Sequence, residues 1–104
     1  MNTLDERERA FEAKFAHDAE MQFNATARRN HLLGLWAATL MQKSDAETDI
    51  YTTEIVKLAT QSPSDDALAE RLTQDLGGRV DQETLQTQMT ALMLVAKQQI
   101  TAEN

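Results

Sequence analysis

Residues 81–100 read DQETLQTQMTALMLVAKQQI, and within them Leu85, Met89, Leu92, Met93, Ala96 and Ile100 recur at steps of three and four. That spacing lays an apolar face along one side of an α-helix. Asp81 stands at the N-cap position, and Val80 and Leu85 flank the helix start as a hydrophobic staple. Immediately upstream, Gly77 and Gly78 supply the left-handed backbone that stops a preceding helix carrying Leu68, Leu72 and Leu76. Ser62 followed by Pro63 marks the start of that helix, with Asp65 and Asp66 complementing its dipole. Further back, Ser44 and Glu47 sit at capping-box spacing and open a helix with Ile50, Tyr51, Ile55, Leu58 and Ala59 on one face, ending near Gln61. The longest helix spans about Asp18 to Gln42, where Leu32, Leu33, Leu35, Trp36, Leu40 and Met41 form a broad apolar stripe. Four amphipathic helices joined by three short connections predict an all-α fold, a small four-helix bundle with mostly antiparallel neighbours.

Composition agrees. A chain of 104 residues has room for one small domain, and three glycines, one proline and no cysteine leave little turn chemistry and no thiol chemistry. Seventeen acidic against ten basic residues give a net charge of −7, which repels nucleic-acid phosphates and anionic membrane surfaces. The charge is uneven: residues 1–30 hold six acids and five bases, whereas the rest hold eleven acids and five bases. The opening MNTLDERERA lacks the basic start and apolar run of a secretory signal, so a cytoplasmic protein is expected. The apolar stretch Leu32–Met41 is about half the length needed to cross a bilayer, so no membrane insertion is expected.

Catalytic constellations are thin. His17 and His31 are the only histidines, and no Glu-x-x-His run is present, so neither a catalytic site nor a metal site is expected. Gly77-Gly78 lacks the following lysine and preceding strand of a phosphate-binding loop; a bundle can still bind a nucleotide weakly, although nothing in the sequence indicates it. No cofactor is implied. Arg28 and Arg29, beside Asn30 and His31, are too small a basic cluster for nucleic acid and read as a solvated helix face or a protein contact.

The N-terminal stretch LDERERAFEAKFAHDAE, residues 4–20, is different in kind. Asp5 to His17 is about half charged, so it is helix-prone yet marginal alone, and we read it as conditionally helical. Phe11 and Phe15 begin a narrow row of i,i+4 residues that continues through Ala19, Phe23 and Ala27. The segment is either a solvated extension or a helix that folds into a partner's groove. In the second case the aromatics would anchor it while Arg7, Arg9 and Lys14 pair with carboxylates at the rim.

In DERERAFEAKFAHDAEMQF, then ARRN, then LLGLWAA, the sequence resembles the ATP synthase inhibitor zeta subunit family of alphaproteobacteria in a colinear run from Asp5 to Ala38. Asn24 departs from the lysine expected after Phe23. The resemblance implies a non-enzymatic inhibitor of F-type ATP synthase, whose N-terminal segment inserts as a helix into a catalytic interface of the soluble head and blocks ATP hydrolysis. It implies an inhibitory segment at residues 1–19, disordered or frayed when free, and a four-helix bundle at 20–104 that anchors the protein on the head at the cytoplasmic face of the membrane. Within the segment it points to Leu4, Arg7, Arg9, Phe11, Lys14 and Phe15 as partner-binding residues. The alternative from a different class is a helical adaptor or small-ligand-binding module whose bundle carries partner binding.

Overall fold

The computed structural model describes the backbone of residues 3–103, and the side chains of Glu6 and of residues 18–103. It is all-helical: α1 (Thr3–Leu40), α2 (Asp45–Gln61), α3 (Asp66–Leu76) and α4 (Gln82–Glu103), with a 3-10 turn at Gly77–Arg79. Helix α1 is the spine. It packs extensively against α2 on one side and α4 on another, while α3 touches α1, α2 and α4 over smaller areas. The 38 residues of α1 span about 57 Å at 1.5 Å per residue, close to the 61 Å longest dimension of the molecule. The radius of gyration of 17.3 Å, against about 13 Å for a compact domain of this size, reflects that helix extending beyond its partners. Residues 3–17 therefore continue the long helix placed from about Asp18 without a break in the backbone.

Local chemistry explains the ends. Ser44 and Glu47 form the complete capping box, Ser44 Oγ accepting from the Glu47 amide at 3.2 Å and Glu47 Oε1 accepting from the Ser44 amide at 2.9 Å. Gly77, at φ 57°, closes α3 in a backbone conformation that other residues adopt at a cost. Asp81 caps α4 by accepting from the Thr84 amide at 2.7 Å. The start of α3 differs from the sequence expectation. Ser62 ends α2, its amide donating to the Ala59 carbonyl and its hydroxyl to the Leu58 carbonyl, and α3 starts four residues later, at Asp66. Pro63 thus follows a helix end, where it prevents continuation, and does not open the next helix.

The core joins Leu33, Ala37 and Ala38 of α1 with Tyr51 and Ile55 of α2, Leu68, Leu72 and Leu76 of α3, and Leu85 and Met89 of α4; Trp36, Met41, Val80 and Leu92 pack around it. Two expectations about the faces fail: Leu35 and Leu40 are more than a third exposed and Ile50 is mostly exposed. The α1–α2 contact is made through small residues instead. A Cβ placed on Gly34 would lie 3.1 Å from Thr52 Cα and 3.2 Å from Thr52 Cγ2, so the two helices approach as closely as a bare glycine allows. Gly34→Ala gains about 1 kcal/mol of helix propensity but pushes against backbone, an overpacking cost of about 1–3 kcal/mol. The expected result is a lower melting temperature, readable by circular dichroism, where propensity alone predicts a higher one.

Candidate functional site

The sequence directs attention to the N-terminal part of α1. Leu4, Arg7, Arg9, Phe11, Lys14 and Phe15 all lie on the α1 backbone, and their side chains, like that of His17, are outside the described residues. What the structure defines is the place where that part of α1 meets the bundle.

From Asp18 to Asn24 the α1 side chains are exposed except Met21, which is half-buried, and the first buried one is Ala25. Two ion pairs fasten the helix just beyond. Arg28 reaches the last turns of α4, donating to Gln99 Oε1 at 2.9 Å and to Glu103 Oε2 at 3.0 Å, with Glu103 Oε1 at 2.8 Å from its other terminal nitrogen. Arg29, buried, donates to both carboxylate oxygens of Asp65 at 3.0 and 2.7 Å and through Nε to Asn30 Oδ1 at 3.0 Å. The basic cluster is therefore no open solvated face: Arg29 and Asn30 are internal, and the carboxylate partner of Arg29 lies 36 residues along the chain. Asp65 consequently makes no side-chain cap to α3, because Arg29 occupies its carboxylate. The i+1 step from Arg28 to Arg29 sends two guanidiniums to different helices, so α1 is gripped by α4 and by the α2–α3 connection within one turn.

A second polar cluster lies across α2 and α3. Asp75 accepts from the Tyr51 hydroxyl at 2.7 Å and from Arg71 Nε at 2.6 Å, while Arg71 also donates to Glu54 at 3.1 Å. Lys43 and Arg71 both lie over the Tyr51 ring, at 5.3 and 5.6 Å from its centre. Burial, then the hydrogen bond to Asp75, raises the Tyr51 pKa well above its usual value, so its hydroxyl remains a neutral donor. This is a brace and has no free acid or base to offer a substrate. Among the described residues no three histidine, aspartate or glutamate side chains converge as a metal site. His31 is exposed and lines a shallow cleft with Asp49, Thr52 and Lys57.

A cleft of about 590 Å³ runs between α3 and α4, bordered by Arg29, Asp66, Ala69, Met89, Met93 and Lys97. It exists because α3 is only 11 residues long and leans mainly on Leu68, Leu72 and Leu76, leaving α4 partly uncovered towards Leu94.

Four carboxylates are held below their ordinary range. Hydrogen bonds from Arg29 do this for Asp65, from Arg28 for Glu103, from the Ser44 backbone for Glu47 and from Thr84 for Asp81. A depressed carboxylate pKa contributes stability that is complete above the unfolded-state value, near pH 4, and is lost as pH falls through the folded-state value. Stability measured by urea unfolding is therefore expected to be flat from about pH 7 to 5 and to decline below about pH 4. Relief of the net negative charge acts oppositely and is screened at physiological salt.

The family model for ATPase inhibitor subunit zeta matches residues 1–99. The chain belongs to this family. The match spans the projecting part of α1, both ion-pair fastenings except Glu103, and nearly all of the bundle. Three solved chains also match; one is a solution NMR structure with 36% sequence identity and a TM-score of 0.72, aligned over 81% of this chain and 99% of its own. The zeta-family fold thus recurs in a protein of substantially different sequence. No curated protein matches. The family is one of inhibitor subunits, a regulatory class, and among the described residues no helix is long and apolar enough to cross a membrane.

Proposed function

We propose that this chain inhibits F-type ATP synthase, with residues 1–19 as the inhibitory segment and residues 20–104 as the anchoring bundle. The segment enters a catalytic interface of the soluble head as a helix and stops the rotation that accompanies ATP hydrolysis. The observation that carries this reading is the continuity of α1: one helix runs from Thr3 into the four-helix core, so a load on the segment is transmitted to a rigid body. Phe11 and Phe15 serve as anchors, Leu4 extends the apolar contact, and Arg7, Arg9 and Lys14 pair with carboxylates around it. The half-charged composition gives the segment little stability as a free helix, so its helix forms fully on engagement. Such coupling lowers net affinity and favours release when rotation reverses. The protein then works on the side of the membrane where the ATP synthase head lies, the cytoplasm.

Phe11→Ala and Phe15→Ala, each titrated as the full chain against ATP hydrolysis by the cognate head, should raise the concentration for half-inhibition by about tenfold or more. Unchanged inhibition by both would remove the anchors and the insertion reading with them. The α3–α4 cleft favours the second reading, an adaptor whose bundle binds the partner; it predicts that a chain lacking the segment competes fully for the head.

A further inference from the structure

Phe23 is 68% exposed, more than any other large hydrophobic side chain among the described residues. It sits on α1 after the proposed inhibitory segment and before Ala25, the first buried side chain among the described residues. Two features of the bundle keep it bare. Helix α4 lies along the side of α1 marked by Met21, Ala25 and Arg28, where Ile100 and Lys97 line a cleft with Met21 and Ala25. Two residues of α-helix turn through about 200°, so Phe23 points nearly opposite to both Met21 and Ala25, away from α4. The other neighbour, α2, has already ended: the connection after it is tied at Asp65 to Arg29, six residues or about 9 Å along α1 from Phe23. Nothing in the bundle is positioned to cover the ring.

Single exposed apolar residues are ordinary on protein surfaces. Phe23 differs from Ile50 and Leu94, the next most exposed, in lying on the helix that leaves the bundle and in continuing the i,i+4 row of Phe11, Phe15 and Ala19. Its immediate surroundings offer no competing contact, since Gln22 and Thr26 hydrogen-bond to each other at 3.3 Å. The only charged side chains from residue 18 to residue 24 are Asp18 and Glu20, both exposed.

We infer that the partner-contacting face of α1 extends beyond residue 19 to Phe23, which docks into an apolar pocket of the ATPase head rimmed by a lysine or arginine group that faces Glu20, about 60° from Phe23 around the helix, Asp18 lying on the α4 side. This deepens the proposed function and rests on it. Phe23 marks the entrance to the catalytic interface, Phe15 lying about 12 Å further along the helix. The bundle begins immediately behind it, so Phe23 also limits how deep the segment can go.

The test uses the full chain and the cognate head. Phe23→Ala should raise the half-inhibitory concentration on the order of tenfold, as expected for an aromatic anchor at an interface, with an unchanged melting curve because the ring is exposed. Phe23→Leu should recover most of the loss, Ile50→Ala should have no effect, and Glu20→Gln should weaken binding more at low salt than at high salt. A photo-crosslinker replacing Phe23 should label a subunit of the head. Full inhibition by Phe23→Ala, with Phe15→Ala impaired, overturns this inference and leaves the inhibitory reading standing. If Phe11→Ala, Phe15→Ala and Phe23→Ala all inhibit fully, the reading of the segment as an inserted helix anchored by its aromatics fails as well. A sedimentation mass of two chains that Phe23→Ala returns to one chain assigns the ring to self-association and also overturns it.

Discussion

A chain beginning at residue 20 is expected to leave ATP hydrolysis running at concentrations where the full chain stops it, while melting at nearly the same temperature. The two halves of that expectation rest on different observations. Loss of inhibition follows from removing Phe11, Phe15 and the bases between and before them. Retention of the fold follows from burial: among the described α1 side chains the first buried one is Ala25, and the Arg28 and Arg29 fastenings lie beyond it. The lost helix contributes backbone hydrogen bonds that are worth little net in isolation, because a solvated helix of such composition is marginal. Helical circular dichroism should therefore fall by no more than the share of residues deleted, with the unfolding midpoint moving by a few degrees at most. A truncated chain that unfolds would mean that the segment is part of the core, contrary to the division at residue 19.

The second large effect is on stability. Asp65→Ala removes the carboxylate from a guanidinium that is only 4% exposed, and an unpaired buried charge is among the few single changes that cost several kcal/mol. Because Asp65 itself is 56% exposed, water can reach part of the pair, and a cost of about 2–3 kcal/mol is the appropriate estimate. For a domain of about 100 residues that lowers the melting temperature by roughly 10–15 °C. Asp65→Asn keeps an acceptor and loses the charge, so it should fall between. The sign with pH follows from the lowered Asp65 pKa: the gap between Asp65→Asn and the natural chain should be full near neutrality and close as pH falls below about 4. A gap that persists at pH 2 would mean that the pair contributes through packing and not through charge.

How much of this was legible in the sequence depends on the range of the interaction. Features settled within four residues were readable: the capping box at Ser44 and Glu47, the glycine stop at Gly77, the Asp81 cap, and the α4 face, of which Leu85, Met89, Ala96 and Ile100 are buried. Features settled between helices were not. Counting large apolar residues assigned Leu35, Leu40 and Ile50 to the core, whereas α1 buries Leu33, Ala37 and Ala38 and lays Gly34, a small residue that permits close approach, against Thr52 of α2. Ser62-Pro63 fits a helix start as well as a helix end, and only the hydrogen bonds back to Leu58 and Ala59 decide between them. Arg29 reads as surface charge until Asp65 is known to be beside it. Of the candidate site, the sequence supplied the residues and the family resemblance; the structure supplied the boundary at Ala25 and the exposed Phe23.

The central claim, that the α1 segment enters a catalytic interface as a helix, is tested most directly by photo-crosslinking from position 15. The full chain with a photo-reactive phenylalanine replacing Phe15 would be bound to the cognate head during ATP hydrolysis, irradiated, and the adduct mapped by mass spectrometry. The account predicts adducts on residues lining a catalytic interface, formed only while inhibition is present. Adducts confined to the outer surface of the head, or absent in fully inhibited complexes, would contradict it.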